Sequence, residues 1–180
     1  KQNEIITNKI KYIYGSTFQR FEWYKKVIKN KLKTIIIIFP ELAGLHSFSD
    51  TITTKHLIYT GKLNVKERWN VYKLVNQQPA IVLATRMGIG LPVKSPCLLI
   101  IDQPNHPAYK EDHRPKYNLT TGLNILQKYF GNVIVGADVP SLREVINYNL
   151  NSVTKHNIII HTSNELLPDS IIDKIKQYPR

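Results

Sequence analysis

A chain of 180 residues, 42% of them hydrophobic, is long enough to bury the core of one domain and should fold. Its 25 Lys and Arg stand against 13 Asp and Glu, a formal charge of +12, and a surplus of that size points to a polyanionic partner, most often nucleic acid. A lone cysteine, Cys97, excludes an internal disulfide framework and a Cys-based zinc site, and the longest apolar runs, IIIIF (35–39) and CLLII (97–101), are far too short to span a membrane.

The N-terminal stretch KQNEIITNK lacks the apolar core of a signal peptide, so a reducing, cytoplasmic location is expected. The first residue is Lys1 rather than Met, as in a fragment of a longer protein. Part of the positive charge also has a plain source, since Ile, Asn and Lys are abundant together, as low-GC codon usage produces. Short β-branched runs predict strands at 10–14, 34–39, 55–59, 80–85, 97–102, 132–137 and 157–161. Helical periodicity appears between them, as at 21–32 and 65–75. In the first helix Phe21, Tyr24, Ile28 and Leu32 share one face, and Lys25, Lys29 and Lys33 another. Several strands are apolar on both faces, as in a buried parallel sheet. The alternation predicts an α/β fold, a three-layer sandwich around a mostly parallel sheet. Function in such sheets gathers at the carboxyl ends of the strands. The loops to inspect are therefore 15–20, 40–44, 85–92, 102–110 and 136–141.

The order of those loops resembles the first motor lobe of the primosomal replication-restart helicases, the PriA (primosomal protein N′) family. That family carries G-T-R, an L-P-F-like step, a strand ending in D-E-E-H, then S-Y-K and R-Y. This chain supplies Thr85 and Arg86, Leu91 and Pro92, Asp102, Tyr109 and Lys110, and Tyr117. Further on, VIVGADVPSLRE (133–144) is similar to G-S-A-T-P-S-L-E, keeping Gly136, Pro140, Ser141 and Leu142. Upstream, IIIIFPEL (35–42) resembles the strand that ends in P-E, and KERWNVY (66–72) an E-R-containing helix. The resemblance is collinear over nearly the whole chain. It implies a RecA-like lobe over 1–152, with 153–180 a linker and the start of a second lobe. The family's second lobe and zinc-binding region are not in this chain.

Against that family, the nucleotide motifs depart. A P-loop wraps phosphates with backbone N–H groups freed by glycine, and its Lys and Ser/Thr reach the β/γ oxygens and Mg²⁺. Matching EWYKKVI (22–28) to the family's E-V-Y helix lays the loop on YGSTFQRF (14–21). Arg20 then replaces the lysine and Phe21 the hydroxyl residue, while Gly15 lies out of frame. Gly15, Ser16 and Arg20 are the remaining phosphate candidates, although a solvated loop arginine is the preferred reading of Arg20. Asp102 is a Mg²⁺ candidate or a cap for the next turn. Gln103 stands where the family has a glutamate, and a neutral amide cannot act as general base. Ala137, Asp138 and Val139 replace Ser-Ala-Thr. No catalytic set is intact. ATP hydrolysis is expected to be lost, and no cofactor is expected unless the motor works with divergent motifs and takes ATP and Mg²⁺.

The resemblance places Thr85 and Arg86 on the DNA face. Beside them Tyr109, Lys110, Arg114 and Lys116 interleave basic and aromatic groups, as single-strand binders do, although for any one of them the preferred reading is a solvated loop whose tyrosines cover the sheet edge. DNA, single-stranded or forked, is the expected partner, with replication or primosome proteins and no membrane. Asp102, His106, Asp112 and His113 are metal-ligand types at a spacing that matches no standard site, so no metal is expected. Trp23 and Trp69 are expected as core anchors, Cys97 as an inert buried thiol, and the G-I-G of 88–90 as a flexible turn. Two rival readings stay open: an active ATP-dependent 3′-5′ helicase lobe, and a doubly wound small-molecule enzyme.

Overall fold

The computed structural model describes residues 10–29, 33–94, 97–111, 117–141 and 159–162. In chain order they form β1 (Lys11–Tyr14), α1 (Thr17–Lys29), β2 (Ile35–Ile38), α2 (Leu42–Ser49), β3 (Leu57–Tyr59), α3 (Val65–Gln77) and β4 (Ile81–Ala84). Then come a 3₁₀ turn (Arg86–Gly90), β5 (Cys97–Asp102), a second 3₁₀ turn (Pro107–Tyr109), β6 (Lys110–Glu111), β7 (Tyr117–Asn118), α4 (Leu119–Phe130), β8 (Gly131–Ala137) and β9 (Ile159–Thr162).

Seven strands make one sheet in the order β3-β4-β2-β5-β8-β1-β9. All neighbours pair in parallel except β9, which runs antiparallel to β1 on the edge. Residues 159–162, expected in the segment leading to a second lobe, thus extend this same sheet. The strand residues alternate between two apolar layers. Ile35, Ile37 and Ile100 face α1 and α2 through Phe21, Tyr24, Ile28, Leu45 and Phe48. Ile36, Ile38, Leu99 and Ile101 face α3 and α4 through Val71, Val75, Leu119, Leu123 and Phe130. The fold is therefore the α/β three-layer sandwich that alternation predicts, with β2 and β5 buried on both faces.

Two local readings change. The 3₁₀ turn holding the G-I-G is packed rather than loose: a Cβ on Gly88 would lie 2.5 Å from the Ala84 Cβ, so only glycine fits against β4. Trp69 is not a core anchor. It stands 53% exposed on α3, whereas Trp23 packs on the core against Tyr24 as expected.

Candidate functional site

The carboxyl edge of the sheet divides into two halves. One half lies over the tips of β1, β8 and β5. The register places Ile13 beside Gly136, and Gly136 beside Asp102, so the three form one row across the strands. Above that row sits Arg20, from the first turns of α1. It is fully buried, and Asp102 is 3% exposed. Arg20 Nε donates to Asp102 Oδ1 at 2.8 Å, Nη1 donates to the Gly15 carbonyl at 2.7 Å and to the Asp138 carboxylate, and Nη2 reaches Thr17 Oγ1 at 3.4 Å. Tyr24 adds its hydroxyl to Asp102 Oδ1 at 2.7 Å. Gly136 makes this possible: a Cβ there would fall 1.9 Å from the Tyr24 hydroxyl and 3.2 Å from Arg20 Cδ.

Arg20 is therefore not a solvated loop arginine. Burial acts against its charge, but the hydrogen bond and Coulomb attraction of Asp102, helped by Asp138, outweigh it and raise the guanidinium pKa. Burial, with the Asp102 charge second, pushes the Tyr24 phenol well above the usual tyrosine range. One cation faces two carboxylates here, so the buried cluster carries no surplus positive charge. Asp102 Oδ1 takes two strong donors, Arg20 Nε and the Tyr24 hydroxyl.

Gly15 and Ser16 are likewise committed. The Gly15 N–H donates to the Ala137 carbonyl at 3.0 Å. The Ser16 N–H donates to Gln19 Oε1 at 2.9 Å, and the Gln19 N–H points back at Ser16 Oγ at 3.4 Å. This is a capping box, and its signature S-x-x-Q stands in the sequence. It starts α1 at Thr17, so residues matched to a phosphate loop are wound into helix instead. Gln103 sits at φ 49°, its N–H held by the Gly136 carbonyl at 2.6 Å. Sequence reasoning noticed Asp138 as a departure but gave it no role; no spacing rule links positions 20, 102 and 138.

Over the tips of β2, β3 and β4 the edge is open. A groove of about 610 Å³ is lined by Pro40, Glu41, Thr60, Lys62, Thr85 and Arg86, among others. Thr85 closes onto β3 through its backbone N–H, and Arg86, exposed, lends Nη1 to the Lys110 carbonyl at 3.3 Å. Lys110 is exposed as well. Tyr109 is different. It is fully buried, and its hydroxyl donates to the Asp102 carbonyl at 2.8 Å and the Ile38 carbonyl at 3.1 Å. A ring sealed between the tips of β2 and β5 cannot stack on a base, so Tyr109 is corrected to a structural bolt. Arg114 and Lys116 lie outside the described residues, as do Asp112 and His113. Among the described residues no three metal-ligating side chains gather, and no helix is long and apolar enough to cross a membrane.

No family model matches the chain. It is 27% identical to a replication restart protein PriA of Helicobacter pylori over 92% of its own length, and 23% identical to that of another strain over 97%. It spans only 30% and 31% of those two relatives. A solved structure, the C-terminal part of the Fun30 ATPase domain, matches 87% of this chain and 50% of its own at 14% identity, with a TM-score of 0.46. The chain is thus similar in sequence to replication restart proteins along a lobe-sized segment.

Proposed function

We propose that this chain is a helicase-like lobe of a replication-restart factor that binds DNA and no longer binds or hydrolyses ATP. The observation carrying the second half is Arg20: buried, and spent on Asp102, Asp138 and the Gly15 carbonyl. Phosphoryl transfer rests on free positive charge and a bound metal, and here both positions answer each other. The first half draws on the likeness to the PriA proteins, the +12 charge, and the open groove with Thr85, Arg86 and Lys110 at its side. Arg114 and Lys116 are proposed as further DNA contacts from the sequence alone.

Binding is the right assay, because helicase sites of this kind need two lobes to hydrolyse ATP. A fluorescent Mg·ATP analogue should show no saturable binding up to millimolar concentration. Micromolar binding competed by ATP would overturn the closed-site reading and favour a working motor. Single-stranded and forked DNA should bind with an affinity that falls steeply with salt, reporting released counterions. Absent or salt-insensitive binding would overturn the DNA reading.

A further inference from the structure

The open groove does not end at the sheet edge. Its Thr60–Gly61–Lys62 rim runs directly into α3, and Arg68 Nη2, from the helix's first turns, ties back to the Gly61 carbonyl at 3.0 Å. On the outer side of α3 stands Trp69, about 6 Å along the axis from Val65 at the helix start. Its indole lies 5.0 Å from the Tyr72 ring, tilted by 31°, so a half-buried tyrosine buttresses it. Lys73 holds its ammonium 5.6 Å from the indole centroid. Lys66 and Lys62 are exposed on the approach from the groove. The one acid of this stretch, Glu67, is turned onto the Asn64 N–H at 2.7 Å in the capping box that starts α3.

We infer that this face of α3 is a stacking platform for single-stranded nucleic acid, with an unpaired base on Trp69 and phosphates on Lys62, Lys66 and Lys73. The inference rests on the DNA-binding reading above and extends it from the groove onto a helix that reading does not use. The chemistry is selective. A protein contact is built around a core depleted of charge, whereas this indole has the Lys73 ammonium over its ring and the exposed Lys66 on the same helix. An aromatic plate flanked by cations fits a polyanion that carries flat rings. In a duplex the base faces are already stacked on one another, so an indole outside the helix meets only unpaired bases.

The test uses the full chain and a short oligothymidylate, with binding read by anisotropy of a labelled strand and by tryptophan emission. Trp23→Phe leaves Trp69 as the sole emitter, and quenching on binding should survive in it. Trp69→Ala should weaken the oligonucleotide at least about fivefold, as loss of one stacked base does. The same variant should bind an abasic strand as the parent does, because phosphate contacts remain. Equal oligonucleotide affinity for parent and Trp69→Ala, with steep salt dependence in both, would overturn the platform and leave the DNA reading standing. Binding by neither would remove both. Equal weakening on the abasic strand would reduce Trp69 to an indirect role and overturn the platform. If oligonucleotide affinity is unchanged but the parent alone sediments as a larger species, the face is a protein contact instead.

Discussion

Arg20 shows how one side chain can close a site. A buried guanidinium with its charge partners in place is tolerable; a buried carboxylate without one is not. Arg20→Met should therefore cost about 3–5 kcal/mol, because Asp102 would be left buried with only Tyr24 as donor. Urea unfolding checks this, and a loss below about 1 kcal/mol would mean that water already reaches Asp102. The phenols give a second handle, on the alkaline side. Burial, ahead of the Asp102 charge, raises Tyr24 and Tyr109 above the usual tyrosine value, and burial pushes the Cys97 thiol up to about 11. Below these groups' ordinary values both folded and unfolded chains hold their protons, and stability is at its full level. As pH rises past about 9 for Cys97 and about 10 for the tyrosines, the unfolded chain releases protons that the folded chain keeps. Stability should fall there by roughly 1.4 kcal/mol per pH unit for each group. Unfolding midpoints between pH 8 and 11 should show that decline, and Tyr24→Phe should make it shallower.

At the scale of elements, the differences from expectation come from ends rather than middles. β5 occupies the predicted residues 97–102. The first helix, expected over 21–32, begins at Thr17 because the Ser16–Gln19 box caps it there. The pattern of apolar residues sees the face of a helix, while its start depends on a short polar exchange. The turn after β5 holds the other local feature. Gln103 adopts a left-handed backbone at φ 49°, where a side chain costs about 1 kcal/mol or more relative to glycine. Gln103→Gly should thus stabilise the chain by up to about 1 kcal/mol, and Gln103→Val should destabilise it. Thermal melts distinguish the two. Neither change should alter DNA affinity, because Gln103 lies over the closed half of the edge.

For the whole molecule, a +12 charge attracts any polyanion, so a local contact in the proposed DNA surface must be separated from the general field. Arg86→Ala should weaken DNA binding and lower the salt slope by about one released ion, with little change in the thermal midpoint, since Arg86 is an exposed side chain. Equal affinity in variant and parent would take Arg86 out of the proposed DNA contacts.

The sequence by itself determined the layers. Ile, Val and Leu at two-sided strand positions favour a covered, mostly parallel sheet, and the loops it names lie along the carboxyl edge. It also put Thr17, Gln19, Arg20 and Phe21 where the family resemblance expects the glycines, lysine and hydroxyl of a phosphate loop. Only the tertiary structure decided what those residues do. Positions 20, 102 and 138 are far apart in sequence, and nothing in their spacing predicts that they share one buried charge cluster. The same holds for Tyr109 and Trp69. Both are aromatic residues in polar surroundings, yet one is sealed between strand tips and the other stands in water. Burial is a property of what packs alongside, and neighbours in space are fixed only once the sheet has ordered its strands.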